Sequence, residues 1–410
     1  MSFKWLKLPL NRAKIRISRS ATSRITLSLS AVTLVSTIGL ASYSHSQRKI
    51  AMDSSVESSI NAQNAMNITG TSFGLSPSQA WSILEGRFGR NVVHSVHEVK
   101  AYGYSLPCKV FEICATCEDA STATTYILWA MSPDQSSTTE YKPNTLASFA
   151  FVYDTIRSKT SIPLPPLYLT DSTCSRVPYC YALTARPSGV PLSEARGQLS
   201  KRQNALIDLR LGSYLQQLHA IENDWFGMPT EVGGEPDDPS YSWQESFTLF
   251  LEEMLYEAEA RGEDLPFSDI RGWLSRAIGF YLFDDVEVPK LIWFTGREED
   301  IYVDLPSSSS EDEEPRISAF LNLCHALWGD PLLESLFYAP SPALIEGYGA
   351  PIITFPRQNT KRLWYTLFWG LVVMKEAAAE ESGDDSDQRK RWAADIVKTC
   401  LEKLKDAPCY

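Results

Sequence analysis

The sequence predicts an α+β protein with two lobes, in which a small antiparallel β lobe precedes a larger helical lobe. Three observations lead to this expectation. Strand-like runs dominate residues 91–131. Apolar residues at spacings of three and four begin near residue 193 and continue toward the end of the chain. Two short strand-like pieces near residues 290–304 and 316–324 interrupt this helical part and predict an embedded β-hairpin.

Residues 76–185 are expected to form the small lobe. The segment SPSQAWSILEGRF begins a helix, because Ser76 can cap it and Pro77 fits its first turn. Strand-like runs follow in NVVHSVHEVKAYGY, CKVFEICATC and TTYILWAM. One helix, TLASFAFVYDTIRSK, is inserted before a last strand and turn in PYCYALTARPSGVPL.

Residues 186–410 are expected to form the helical lobe. Amphipathic helices are predicted in QNALIDLRLGSYLQQLHAI, WQESFTLFLEEMLYEAEARG, IRGWLSRAIGFYLFDDV and QRKRWAADIVKTCLEKLK. The apolar run from Leu363 to Met374 is too short to cross a bilayer, so its helix is predicted to be buried. The stretch SSSSEDEE between the two strand-like pieces predicts a solvated hairpin tip.

The first 75 residues differ in composition from the rest of the chain. Residues 1–24 are basic, rich in Arg and Ser and free of acidic residues, as targeting segments are. Residues 25–42 carry no charge and as a helix would extend about 27 Å, enough for a transmembrane or anchor segment. Residues 43–75 are expected to be a linker. This pattern favours a membrane-anchored, mitochondrial protein, with a signal anchor or a cytoplasmic protein translated from Met52 as alternatives.

The charge and the cysteines of the chain argue against a nucleic-acid partner, a zinc site and a disulfide. The 358 residues after Met52 hold 29 basic and 50 acidic side chains, a net charge of −21, which argues against nucleic-acid partners. Cys108, Cys114 and Cys117 lie close together, but a zinc site needs four ligands and no second pair is evident. Free thiols are therefore expected rather than zinc or a disulfide; Cys174 and Cys180 could meet only if the fold brings them together. His219 is expected to be packed rather than a metal ligand.

Five blocks of sequence between residues 75 and 380 occur in a recognisable order. They are ARPSGVPL, LGSYLQQLHAIENDWFG, IYVD with its hairpin, ISAFLNLCHALWGDPLLE and KRLWYTLFWGLVVMKE. In this order they resemble the aminoglycoside phosphotransferase-like family, in its fungal branch. The resemblance implies a protein-kinase-like fold, ATP and Mg²⁺ as cofactors, and phosphoryl transfer to a hydroxyl of a small molecule.

Each position that such chemistry requires departs from the family pattern. Phosphoryl transfer depends on positioned charges around the nucleotide phosphates and the metal. The resemblance assigns six residues to these positions: Trp129 for the phosphate-binding base, Phe149 for the helix acid, Trp293 for the His, Thr295 for the catalytic Asp, Asp300 for the Asn and Asn322 for the second metal Asp. Thr295 cannot accept a proton at neutral pH, although a general base typically contributes about 10²–10⁴-fold. A catalytically degenerate pseudokinase is therefore expected.

Asp300 and Asn322 support an alternative interpretation. They are the family's metal-binding Asn and Asp exchanged, so the pair keeps its charge and oxygen atoms and could hold a hard cation. Glu298 or Glu299 would then serve as a base, although solvated loop acids are the simpler interpretation. Asp304 and Asp330 are retained and have structural explanations, since an Asp at position 330 can cap or brace the following turn.

These observations predict a binding or accessory factor whose partner is an unknown protein or a small molecule. No nucleic acid is expected. Membrane association is expected through the N-terminal segment. The alternative is an active ATP-dependent small-molecule O-phosphotransferase with non-standard catalytic residues.

Overall fold

The computed structural model describes residues 74–99, 108–117, 122–131, 141–231, 233–306, 313–379 and 384–409. Within them the small lobe contains two helices and five strands. In chain order these are α1 (Pro77–Phe88), β1 (Asn91–Glu98), β2 (Lys109–Cys117), β3 (Thr124–Met131), α2 (Leu146–Lys159), β4 (Leu167–Asp171) and β5 (Cys180–Ala185). The strands form one antiparallel sheet in the order β1-β2-β3-β5-β4.

Helix α1 begins where its sequence predicts. The Ser76 hydroxyl accepts the backbone N–H of Gln79 at 3.2 Å, and the Gln79 side chain accepts the backbone N–H of Ser76 at 2.9 Å. This reciprocal capping box satisfies two backbone donors that a helix start otherwise leaves unpaired. Pro77 occupies the first turn, where its missing N–H costs nothing.

Helices cover both faces of the small-lobe sheet. Neighbouring residues of a strand point to opposite faces, so Leu128 and Trp129 of β3 enter different cores. Leu128 packs in a core with Ile83 of α1. Trp129 packs in a core with Val152 of α2. The inserted helix α2 therefore lies on the face that continues into the large lobe, and the preceding helix α1 closes the opposite face.

The large lobe is mainly helical with short strands. Its elements are β6 (Val190–Pro191), α3 (Leu192–Ala195), α4 (Lys201–His219), α5 (Trp243–Ala260), α6 (Phe267–Gly279), β7 (Lys290–Ile292), β8 (Ile301–Asp304), β9 (Arg316–Phe320), β10 (Leu327–Gly329), α7 (Pro342–Tyr348), α8 (Arg357–Ala379) and α9 (Asp384–Leu404). Strand β8 pairs antiparallel with β6 and β9, and β7 pairs antiparallel with β10. The predicted embedded hairpin is thus β8–β9.

Helix α8 lies at the centre of the large-lobe core. Leu367, Phe368 and Val373 are completely buried, in one core with side chains of α5 and α9. The expectation of a buried helix is confirmed. Across the part of the chain that the structure describes, no helix is long and apolar enough to cross a membrane. The candidate anchor at residues 25–42 lies outside the described residues, as does most of the SSSSEDEE tip.

Two strands were not predicted. Strand β4 directly follows Pro165 and Pro166, whose missing N–H groups argue against a strand in a sequence pattern. Strand β10 is three residues long and exists by pairing Leu327 with Ile292 of β7. Both strands are defined by their pairing with another segment of the chain. The local sequence pattern does not contain this information.

Candidate functional site

The β8–β9 hairpin brings together the two residues assigned to a metal site. Asp300 directly precedes β8, and Asn322 follows β9. Ile301 pairs with Phe320, and the backbone N–H of Leu321 donates to the carbonyl of Asp300 at 2.8 Å. The two turns are therefore joined next to the assigned side chains.

These side chains are buried and poorly satisfied. Thr295 and Asp300 are 0% exposed and Asn322 is 1% exposed. The Thr295 hydroxyl, both Asp300 carboxylate oxygens and both polar atoms of the Asn322 carboxamide have no hydrogen-bond partner within the described residues. Buried polar atoms normally find partners, and each one left unpaired costs about 1–3 kcal/mol. Unpaired buried atoms do not stabilise a fold, so they make Thr295, Asp300 and Asn322 candidate functional residues.

Burial also changes the ionisation of Asp300. It raises the pKa of this carboxyl from 3.8 to about 7, and the charge of Glu299 adds to the increase. The nearby Arg297 charge and Asn322 carboxamide oppose it. The amide thus lies close enough to lower the pKa, although no atom pair of the two side chains reaches hydrogen-bond geometry. The pair consequently holds a full negative charge only above neutral pH.

The turn that carries Thr295 is held by a residue that the sequence did not single out. Glu334 is completely buried and accepts the backbone N–H groups of Trp293 at 2.6 Å and Phe294 at 3.2 Å. His219 Nε2 lies 3.2 Å from the same carboxylate, and its Nδ1 lies 3.0 Å from the Tyr348 hydroxyl. His219 is packed, as expected. In sequence, Glu334 resembles a surface acid, and only these contacts reveal its role.

Trp293 is the residue that the sequence resemblance assigns to the family's His position. Its indole N–H donates to the backbone carbonyl of Asn322 at 2.8 Å, and its ring packs on Phe320 at 4.9 Å between centroids. A Cβ on Gly296 would lie 2.2 Å from the Trp293 ring, so this turn requires glycine. The indole therefore links the two turns and fills the space between them.

Both turns adopt an uncommon backbone conformation. Phe294 has φ 65° and Asn322 has φ 55°. Asn tolerates this left-handed region, but a buried aromatic residue rarely occupies it. Strain of this kind persists only where surrounding contacts impose it, and it concentrates at functional sites. Both turns therefore carry backbone strain next to the side chains that the sequence resemblance assigns to the site.

The positions assigned to the phosphate-binding base and its acidic partner lie in the small-lobe core. Trp129 is 2% exposed and Phe149 is 4% exposed, and both belong to the same apolar cluster. The Trp129 indole N–H donates to the Thr184 hydroxyl at 3.4 Å. Where the resemblance places an ion pair, this chain has apolar packing between β3 and α2.

The two loop acids next to Asp300 are paired with arginine. Glu298 Oε1 accepts from Arg196 Nε at 2.9 Å, and Arg196 also donates to Asp208 at 2.6 Å. Glu299 lies 3.6 Å from the Arg297 guanidinium. Glu298 is therefore part of an ion network that ties the turn to α4, whereas Glu299 makes a looser surface pair.

The two retained aspartates have structural contacts. Asp330 accepts the backbone N–H of Leu332 at 2.9 Å and caps the 3₁₀ turn at Pro331–Leu333, as expected. It also lies 2.7 Å from the buried Lys361 ammonium. Asp304 pairs with Arg316 at 2.9 Å across the hairpin.

Asp300 and Asn322 fit a hard cation only in their atom types. Carboxylate and carboxamide oxygens are the ligands that Mg²⁺ accepts, and here both are unpaired. Among the described residues, no group of three or more His, Cys, Asp or Glu side chains could hold a metal ion. The resemblance assigns the phosphate-binding base to Trp129, whose buried indole carries no charge to neutralise nucleotide phosphates.

Comparison with known proteins supports the fold. No protein-family model and no curated protein matches the sequence. A protein of Ralstonia eutropha JMP134 classed as an aminoglycoside phosphotransferase matches with a TM-score of 0.55 and 12% identity, over 81% of this chain and 99% of its own. A thermostable mutant of the aminoglycoside phosphotransferase APH(4)-Ia, complexed with ADP and hygromycin B, matches with a TM-score of 0.50 and 16% identity, over 80% and 99%.

A third structure, an aminoglycoside phosphotransferase with GDP and kanamycin, matches with a TM-score of 0.51 and 10% identity, over 78% of this chain and 97% of its own. Identities this low establish the fold alone. The chain has the two-lobed, protein-kinase-like fold of the aminoglycoside phosphotransferases, and the resemblance read from its sequence is confirmed at that level.

Proposed function

We propose that this chain is a pseudokinase: a phosphotransferase-like fold that has lost catalysis and acts as a binding or accessory factor. The observation that supports this proposal is the complete burial of Thr295, a hydroxyl residue that the sequence resemblance assigns to the position of the catalytic base. A hydroxyl does not accept a proton at neutral pH, so the reaction loses a contribution of about 10²–10⁴-fold.

The small-lobe core supports the same proposal. Phosphoryl transfer depends on cations that neutralise developing charge, and electrostatic stabilisation is usually the largest catalytic contribution. Trp129 and Phe149 instead contribute apolar packing at the positions of the ion pair. Replacing a buried ion pair by well-packed apolar residues is often neutral or stabilising, so this exchange conserves the fold while removing the charges.

The experiment is an ATP hydrolysis and transfer assay on the full-length chain with Mg²⁺. Wild type, Asp300→Ala and Asn322→Ala are expected to give the same background rate. Hydrolysis by wild type that either substitution abolishes would refute the pseudokinase. The matched control is Asp284→Asn, an exposed carboxylate of the same lobe.

A second candidate is an active small-molecule O-phosphotransferase. The specific observation in its favour is the buried Asp300–Asn322 pair with every polar side-chain atom unpaired. In this proposal Asp300 and Asn322 would hold Mg²⁺, which would supply the positive charge that phosphate groups need. Glu299 is the better candidate base of the two loop acids, because Glu298 is held by Arg196. Absence of any thermal shift with millimolar ATP and Mg²⁺ would argue against this candidate.

The N-terminal segment suggests where in the cell the protein acts. We propose that the first 52 residues, with nine Lys or Arg and no acidic residue, direct the chain to a membrane, with mitochondria as the proposed location. The protein partner or small molecule would bind the acidic part of the chain that follows Met52. Fractionation of the tagged full-length protein tests this location, and recovery in the soluble cytosolic fraction would exclude it and favour translation from Met52.

A further inference from the structure

Two cysteines meet where the loop after β4 joins β5: Cys174 lies in the loop and Cys180 is the first residue of β5. The sulfur atoms of Cys174 and Cys180 lie 3.8 Å apart, and both side chains are partly exposed. Each thiol also points toward the carbonyl of Ser172, at 3.9 Å from Cys174 and 3.8 Å from Cys180. The fold thus brings together a pair that sequence spacing alone left undecided.

The loop holds this pair in place through its own contacts. Asp171 accepts from the backbone N–H of Thr173 at 2.8 Å and from its hydroxyl at 2.6 Å. The Tyr181 hydroxyl donates to the other oxygen of Asp171 at 3.1 Å. Cys174 has φ 52°, a left-handed conformation that turns the chain back toward β5. The two ends of the loop are therefore fixed on either side of the sulfur pair.

We propose that Cys174 and Cys180 form a reversible disulfide when the protein meets an oxidised low-molecular-weight disulfide. One cysteine thiolate attacks the small disulfide, forms a mixed disulfide and releases one small thiol. The second cysteine attacks the mixed disulfide and releases the second small thiol. In sum, two protein S–H bonds are replaced by one S–S bond, and one small disulfide becomes two thiols. The sulfurs must approach by about 2 Å to reach the length of an S–S bond.

The bond would stiffen the contact between this loop and α1. Arg176 lies inside the ring that the bond closes, and its guanidinium donates to the carbonyls of Ser82 at 3.0 Å and Ile83 at 3.3 Å. Oxidation therefore restrains the segment that ties α1 to the sheet. This consequence does not depend on whether the protein catalyses phosphoryl transfer.

Burial raises the pKa of the Cys180 thiol to about 11, and the neighbouring Cys174 and Asp171 add to the increase. Because the thiolate is the attacking form, exchange at Cys180 is slow at pH 7 and accelerates as pH rises toward 11.

The proposal is tested with the full-length protein and oxidised glutathione at pH 8.5, followed by alkylation and trypsin digestion without reductant. Cleavage after Lys159, Arg176 and Arg196 places each cysteine in its own peptide, Thr160–Arg176 and Val177–Arg196. The expected result is a species containing both peptides, which a reductant separates. Because the fold holds the two sulfurs close together, the native pair is expected to form this species at an at least about tenfold lower ratio of oxidised to reduced glutathione than the urea-unfolded chain.

Two variants test the proposal further, and a third serves as a control. Cys174→Ser and Cys180→Ser are each expected to abolish the linked species and leave a glutathione adduct on the remaining cysteine. Cys114→Ser removes another partly exposed thiol and is expected to leave linkage unchanged. The proposal is overturned if native wild type yields only glutathione adducts at these two cysteines, or if linkage requires the same ratio of oxidised to reduced glutathione in the native protein as in urea.

Discussion

Replacing Asp300 with Asn should stabilise the protein at alkaline pH. The Asp300 carboxyl is completely buried, its two oxygens lack hydrogen-bond partners within the described residues, and its pKa is raised from 3.8 to about 7. An amide of the same shape removes the buried charge and can pair with the Asn322 carboxamide.

The magnitude follows from proton linkage. A tenfold change in proton affinity is worth about 1.4 kcal/mol, so ionising Asp300 in the folded state costs roughly 4 kcal/mol at pH 8. Between about pH 4 and pH 7 the folded protein keeps a proton that the unfolded chain has released. The contribution of Asp300 to stability therefore falls as pH rises through this window and stays constant above it. At pH 5 the stability lost through Asp300 is only about 2 kcal/mol.

The assay is urea unfolding of wild type and Asp300→Asn, followed by tryptophan fluorescence at several pH values between 5 and 8.5. The difference in unfolding free energy is expected to favour the variant and to grow with pH. Asp284→Asn, an exposed carboxylate, should change stability by less than about 0.5 kcal/mol at every pH. Repeating the measurement at pH 8 with Mg²⁺ adds information, because a cation bound to the pair would stabilise wild type more than Asp300→Asn.

A difference that does not depend on pH, or a variant less stable than wild type at pH 8, would refute this reasoning. Either result would mean that the Asp300 carboxylate is satisfied in the folded protein.

Three further substitutions test the frame of the site by urea unfolding. Glu334→Gln should destabilise by roughly 2–4 kcal/mol, because it weakens the acceptor of two buried backbone N–H groups; an unchanged midpoint would contradict this role. Lys361→Met should lower the free energy of unfolding by about 3–5 kcal/mol, because it leaves the buried Asp330 carboxylate without its cation. A smaller loss at low pH would support that cause. Gly296→Ala should lower the free energy of unfolding by at least about 1–3 kcal/mol, because its new Cβ would contact the Trp293 ring. The control is Gly272→Ala, which has open space around its Cβ and should stabilise α6 by about 0.5–1 kcal/mol. Equal effects of the two substitutions would exclude the steric explanation.

The sequence alone was sufficient for features that depend on neighbours along the chain. Ser76 and Pro77 determine the start of α1 through capping chemistry that acts over three residues. The burial of α8 follows from its apolar run between Leu363 and Met374, which is too short to cross a bilayer. The order of strands and helices, and hence the two-lobed class, follows from periodicity of the same local kind.

The tertiary structure decided what depends on residues far apart in the chain. The closeness of Asp300 to Asn322 follows from the register of β8 with β9, and the brace from Glu334 to the Trp293 turn crosses 41 positions of sequence. Whether a polar side chain is buried and unpaired, as Thr295 is, depends on every element packed around it. Residue type and order specify local geometry, but the environment of a side chain arises only when distant segments pack together.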